Sequence, residues 1–254
     1  MTRRPIIAGN WKMNKNAAET TAFIDEFKSK VSGVDGVDIV LCPIYTSLAA
    51  AVEAAAGSNV AIGAQNVHWA ESGAFTGEIP AAVLKDMGVT HVVIGHSERR
   101  QYFGETDESV NKRLQAALSA GLAPMVCVGE LLEERESGDT EKVLDRQTRG
   151  ALAGFASGDI EDVVIAYEPV WAIGTGKTAT PEIAQSAHAF IRGVLSEMFG
   201  AETAEKIRIQ YGGSMKPANS AELLAQPDID GGLVGGASLE PDSFAAIVES
   251  AVQS

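Results

Sequence analysis

A closed (β/α)8 barrel, formed by residues 1–254 as one domain, is the α/β fold that the sequence predicts. Three observations point there: eight short apolar runs rich in β-branched residues, longer segments of helical periodicity between them, and ionisable and glycine residues gathered after the runs. Parallel strands need such crossovers, because a hairpin can join only antiparallel ones. The length of 254 residues allows one large domain or two, and a single α/β barrel commonly takes about 250. No Pro/Ser-rich linker or low-complexity segment marks a boundary. An open doubly wound sheet is the alternative arrangement of the same elements.

The apolar runs cover 6–8, 37–42, 60–64, 91–94, 125–128, 163–167, 207–211 and 232–234. Each is short and nearly continuous in apolar character, as strands covered on both faces are. The segment 17–31 sets Phe23, Ile24, Phe27 and Val31 on one stripe of a helix. Asp107-Glu108 opening the helix that includes 112–120, and Thr180-Pro181-Glu182 ahead of 183–199, have the chemistry of capped helix starts. Gly121 and Gly200 stand where those helices should stop.

Composition narrows the function classes. A 45% hydrophobic fraction is ordinary for a chain that buries a substantial core. The net charge of -14 repels nucleic acid and anionic membranes, so neither is an expected partner. An anionic small molecule stays possible if donors surround it locally, since salt screens exposed charges beyond roughly 8 Å. Cys42 and Cys127 are the only cysteines, lack metal-ligand spacing, and read as free buried thiols suited to a reducing cytoplasm. The opening MTRRPIIAGNWK has no apolar stretch of signal length, and no apolar run reaches 18 residues, so an unexported, cytoplasmic protein is expected.

Chemistry should sit on the loops that follow the strands. The first strand runs into Asn10-Trp11-Lys12, the fourth into Gly95-His96-Ser97-Glu98-Arg99, the sixth into Glu168-Pro169-Val170-Trp171, the seventh into Gly212-Gly213-Ser214 and the eighth into Gly235-Gly236. The run Gly174-Thr175-Gly176-Lys177-Thr178 is no P-loop, because the position that must hold the first glycine holds Trp171. It is no dinucleotide turn either: it lies five residues beyond the strand, and the next strand ends without an acid. Gly95-His96-Ser97-Glu98-Arg99 lacks the closing glycine of a nucleophile elbow, and the four scattered histidines form no zinc-binding pair.

The segments AGNWKMN, GAFTGEI, VVIGHSERR, VCVGE, AYEPVWAIGTGKTAT, YGGSMKPAN and GGLVGGASL, in this order across essentially the whole chain, resemble the triosephosphate isomerase family. The resemblance implies a TIM barrel that interconverts dihydroxyacetone phosphate and glyceraldehyde 3-phosphate through an enediolate, in glycolysis and gluconeogenesis, without cofactor or metal. It also implies a homodimer. Pro80 departs from the small polar residue common among relatives, and the first turn of a helix would tolerate it.

That reaction needs a base for a carbon-bound proton, an electrophile at the carbonyl and an anchor for a phosphate dianion. Glu168 is the candidate base, a strand-end carboxylate beside Pro169 that apolar Ile173 would desolvate; the alternative is a solvated loop acid. His96 is the candidate electrophile, kept neutral by the positive end of a helix starting at Ser97, although a core histidine bonded to backbone would look the same. His68, His91 and His188 read as structural. The resemblance makes Lys12 the cation facing the substrate and Asn10 an orienting donor, where composition alone would leave Lys12 a solvated surface group. Backbone N–H groups of Gly174, Ser214, Gly235 and Gly236 would hold the phosphate.

The resemblance further implies a lid with Pro169, Val170 and Trp171 at its first hinge and Lys177, Thr178 and Ala179 at its second. Ile173 and Leu233 would clamp Glu168 from either side. A long loop over 65–78 would be a dimer arm, with Phe75 exposed and Thr76 reaching towards the partner's Asn10 and Lys12; the plainer reading is a self-packed surface loop. Two rivals remain at this stage: another phosphosugar barrel enzyme, such as an aldolase or epimerase, and a catalytically silent phosphate-binding homologue.

Overall fold

Each of the eight apolar runs is a strand in the computed structural model, which describes residues 3–174 and 178–252. The strands are β1 (Ile6–Asn10), β2 (Asp38–Cys42), β3 (Val60–Ala64), β4 (His91–Ile94), β5 (Ala123–Val128), β6 (Val164–Tyr167), β7 (Arg208–Tyr211) and β8 (Gly231–Val234). All neighbours pair in parallel, and β8 returns to β1 with Ala8 opposite Leu233, so the sheet closes and the open alternative falls. Two strands are longer at their N-terminal ends than the apolar runs. β5 begins at Ala123, ahead of Pro124, and β8 begins at Gly231. A Cβ at Gly231 would stand 1.9 Å from the carbonyl oxygen of Ile6, and its φ is +144°, so only glycine lets β8 enter beside β1.

Helices cover the outside: α1 (Ala17–Val31), α2 (Leu48–Ala55), α3 (Ala81–Met87), α4 (Ser97–Phe103), α5 (Asp107–Ser119), α6 (Leu132–Glu136), α7 (Thr140–Ala151), α8 (Pro181–Phe199), α9 (Ala201–Ala204), α10 (Pro217–Leu224) and α11 (Pro241–Val252). Their ends carry local chemistry. Asn16 accepts the N–H of Glu19 at 3.0 Å while the Glu19 carboxylate accepts the N–H of Asn16 at 2.8 Å, a reciprocal capping box worth about 1 kcal/mol. Thr106 and Ser109 cap α5 in the same way, and Thr180 caps α8 ahead of Pro181. Gly121 and Gly200 follow α5 and α8 with positive φ, as expected of helix stops. Pro80 is the N-cap of α3, one position ahead of its first turn, with extended backbone.

Period-two alternation divides the core into two layers. Ile6, Ala8, Val40, Val93, Met125 and Val164 fill the barrel interior, while Ile7, Ile39, Leu41 and Ile165 face the helices. There the α1 stripe of Phe23, Ile24, Phe27 and Val31 is buried, and Phe27 meets Phe244 of α11 at 5.1 Å. Full burial of side chains of this size contributes about 1.5–3 kcal/mol each. The same alternation carries the interior face upward from Ile6 and Ala8 to Asn10 on β1. On β6 it runs from Val164 and Ala166 to Glu168. Both polar groups thus arrive at the C-terminal mouth.

The opposite mouth is closed by ion pairs. Arg192 of α8 meets Asp228 at 2.5 Å and Asp230 at 2.7 Å, and donates to the carbonyls of Ala204 and Ile207. Arg3 reaches Asp230 at 2.6 Å. His188, buried beside them, bonds the carbonyl of Asp228, and burial pushes its pKa down to about 4.

Candidate active site

At the C-terminal ends of the strands lies a cavity of about 620 Å³. It brings together Asn10, Lys12, His96, Glu168, Ile173, Gly174, Ser214, Leu233, Gly235 and Gly236, ten of the residues singled out from sequence. Pro169, Val170, Trp171, Thr178 and Ala179 are not among its lining; Thr178 is exposed and Ala179 buried. Lys177 lies outside the described residues.

Glu168 follows β6 and is only 2% exposed. One carboxylate oxygen stands 2.9 Å from His96 Nε2 and the other accepts the backbone N–H of Ser97 at 2.8 Å. Burial alone would raise the pKa of this acid. The contacts with His96 and the Ser97 N–H outweigh it, with help from Lys12, and hold the carboxyl below the usual carboxylate range.

His96 is the N-cap of α4, and its Nδ1 accepts the N–H of Glu98 at 3.2 Å. The expected helix start is therefore in place. Burial works against a charged ring, while Glu168 draws its proton affinity up on balance. The hydrogen-bond pattern nonetheless assigns a neutral imidazole: an Nδ1 that accepts the Glu98 N–H carries no proton, so the single ring proton sits on Nε2 and points at Glu168. Of the other histidines, His91 faces burial that pushes its pKa down to about 4, and His68 accepts the N–H of Ala70. Neither lines the cavity.

Lys12 stands in the left-handed region with φ +51°, uncommon for a residue with a side chain. Asn10 Oδ1 accepts its N–H at 3.1 Å, and Gln65 donates to its carbonyl at 2.8 Å, so the surroundings over-determine the conformation. Its ammonium meets Glu98 at 2.5 Å. A Cβ on Gly235 would lie 3.7 Å from Lys12 Cε, which places the lysine stem beside the double glycine after β8.

Several functional neighbours escaped the sequence reading. Glu98 pairs with Lys12, and its only sequence signal is its place in a helix's first turn. Glu130, fully buried after β5, accepts from the Trp171 indole N–H at 2.8 Å and the Tyr167 hydroxyl at 3.1 Å. Arg135 stacks on that same indole at 4.5 Å. Lys216 and Ser243 also line the cavity; Lys216 follows Ser214 by two residues and could have been found from that spacing. Ser214 Oγ donates to the carbonyl of Ala172 at 2.7 Å, tying the loop after β7 to the segment after β6. Cys42 and Cys127 are free and buried, as expected, and burial pushes both thiols up.

A barrel whose strand ends gather a carboxylate, a neutral imidazole, an ammonium and glycine loops around one cavity defines an enzyme of the phosphosugar-barrel class. The triosephosphate isomerase family model matches residues 5–251. The chain is 59% identical to triosephosphate isomerase of Solibacter usitatus, over 97% of this chain and 99% of the relative. Identity to the enzyme of Carboxydothermus hydrogenoformans is 55%, over 98% of this chain and all of the relative. The crystal structure of triosephosphate isomerase from Bartonella henselae superposes with a TM-score of 0.88 at 42% identity, covering 97% of this chain and 98% of that one. The chain belongs to the triosephosphate isomerase family.

Proposed function

We propose that this protein interconverts dihydroxyacetone phosphate and glyceraldehyde 3-phosphate, with Glu168 moving the proton between adjacent carbons and His96 polarising the carbonyl. The observation that carries the assignment is the 2.9 Å contact between Glu168 and His96 Nε2 at the mouth of a cavity that also holds Lys12. The contact suggests an order of events. A substrate carbonyl oxygen arriving at His96 takes the Nε2–H that Glu168 now accepts, which frees the carboxylate to turn towards the C–H bond.

Charge then develops on the enediolate oxygens, and Nε2–H, Asn10 and the Lys12 ammonium, which all line the cavity, stabilise it. The overall charge of -14 makes that cation necessary for an anionic substrate. The phosphate falls to the N–H groups of Gly174, Ser214, Gly235 and Gly236, where small residues admit an anion close to the main chain. Closure of the segment after Trp171 brings Ile173 towards Leu233, excludes water from Glu168 and suppresses loss of phosphate from the enediolate. A coupled assay on both triose phosphates, with and without chelator, tests this; chelator-sensitive turnover, or none, would favour the rival phosphosugar enzymes or the silent homologue.

The active species is a homodimer. Met13 is 92% exposed between the positive-φ residues Lys12 and Lys15, and Phe75, at the tip of the loop over 65–78, is 46% exposed beside exposed Thr76. Large apolar groups so placed suit a second copy of the chain. The loop is also held from within, since His68 stacks with Trp69 at 4.3 Å and packs on Phe75 at 4.4 Å. Two unpaired buried thiols suit the cytoplasm, and among the described residues no helix is long and apolar enough to cross a membrane.

A further inference from the structure

Gln147 of α7 is buried and spends its whole amide on one residue of the loop after β5. Its Oε1 accepts the N–H of Gly129 at 2.7 Å and its Nε2 donates to the Gly129 carbonyl at 3.2 Å. Gly129 in turn stands against the backbone of Glu168. A Cβ added there would fall 1.7 Å from the Glu168 carbonyl oxygen and 3.1 Å from its Cα. The residues on either side complete the frame. The carbonyl of Val128 takes the N–H of Glu168 at 2.7 Å, and that of Glu130 takes the N–H of Val170 at 3.1 Å.

Residues 128–130 therefore form the mould against which Glu168 and the start of the lid are set, and Gln147 fastens its middle residue from the helical layer. Behind the mould lies a cavity of about 380 Å³ lined by Ser97, Gly129, Gln147 and Val170. Gly129 thus has room to shift if the amide lets go. We propose that Gln147 is a positioning residue: by holding the backbone N–H and the carbonyl of Gly129, it fixes the Glu168 backbone at the height from which the carboxylate reaches His96 and the substrate. The inference rests on the assignment of Glu168 as the base.

Displacement of a reacting group by about 1 Å can cost on the order of 10²-fold in rate. Gln147→Met, of similar length but without polar groups, is expected to lower kcat about 10- to 100-fold. Competitive inhibition by inorganic phosphate should change far less than kcat, because the loops after β7 and β8, which carry Ser214, Gly235 and Gly236, are untouched. Gln147→Glu keeps an acceptor for the Gly129 N–H but sets a carboxylate oxygen against the Gly129 carbonyl, so it too should lower kcat; it carries the test if the methionine variant does not fold. In a Glu168→Asp background, where the carboxylate is already withdrawn, Gln147→Met should cost less than it does alone. Unchanged kcat in Gln147→Met, a parallel loss of turnover and phosphate binding, or equal costs in both backgrounds would overturn the proposal. Glu168→Asp alone turning over like the parent would instead sink the assignment of the base, so the two failures are told apart.

Discussion

At the N-terminal mouth of the barrel, Arg192 gives its donors to Asp228, Asp230 and two carbonyls, and Arg3 completes the cluster. At the C-terminal mouth, Glu168, His96, Lys12 and Glu98 include the same kinds of group, at similar distances, around an open cavity of about 620 Å³. One end closes its charges against each other and against backbone. The other pairs them around a cavity, where, on the proposed function, an incoming carbonyl and phosphate would take over the same donors. Ionisable residues at both ends of a barrel are thus no guide to function by themselves; what separates the ends is whether a partner can be exchanged.

Glu168→Gln should show the largest effect. General base catalysis contributes about 10²- to 10⁴-fold, so kcat should fall at least that far while the thermal transition stays near that of the parent. Arg192→Ala should do the reverse. Removing one partner of a buried pair costs about 3–5 kcal/mol, and the loss should fall towards the lower end here, because Asp228 loses its close cation while Asp230 keeps Arg3 at 2.6 Å. Denaturant unfolding would report that loss, and turnover per folded molecule should be retained. If Arg192→Ala lost turnover at full folding, or Glu168→Gln lost mainly stability, the contrast between the two mouths would collapse.

Lys12→Met sharpens the contrast at a single ion pair. Loss of one preorganised donor at developing charge costs roughly 10²- to 10³-fold in kcat, and here KM for either triose phosphate should rise as well, since the substrate dianion would lose the cation that faces it and Glu98 would lose its partner. A variant with kinetics like those of the parent would reduce the Lys12–Glu98 pair to an ordinary surface salt bridge.

The architecture was legible because each strand is short, apolar and followed by a helical stripe, and because period two carries Glu168 and Asn10 to the same mouth as their apolar neighbours. His96 as the cap of a helix was legible from Ser97-Glu98-Arg99. What stayed hidden was pairing across the chain. Nothing local to Gln147 tells that its amide closes on Gly129, nor does the acid at 130 announce that it anchors the Trp171 indole 41 positions later. Such contacts depend on which loop tops meet around a closed ring. The start of β5 at Ala123 was hidden for another reason: Pro124 usually ends a strand, and pairing with His91 and Val92 of β4 overrides that preference here.

The pH response of the active mouth should be smaller and of definite sign. Glu168 binds its proton more weakly than an ordinary glutamate, against burial, because His96 and the Ser97 N–H favour the carboxylate. The carboxylate alone would set no acid limb above the usual glutamate value of about 4.3. Against burial, Glu168 also draws the proton affinity of His96 above its usual value of about 6.5, so on the proposed mechanism kcat/KM should fall first where the neutral imidazole is lost. A profile that stayed flat to well below pH 6.5 would mean that His96 does not act as a neutral electrophile.

The smallest effect concerns what completes the open mouth. Phe75→Ala removes an exposed ring from the tip of a loop that His68 and Trp69 hold from within, so the fold of one chain should barely change. If the ring seats in a second copy, truncation should weaken dimerisation by about 1–2 kcal/mol, the range typical of a contributing interface side chain. Specific activity would then match the parent at high protein concentration and fall earlier on dilution, in step with the dimer fraction from sedimentation. Equal dilution curves would leave the loop as self-packed surface. The C-terminal mouth would then be complete within a single chain, with Lys12 kept in its left-handed turn by Asn10 and Gln65 alone.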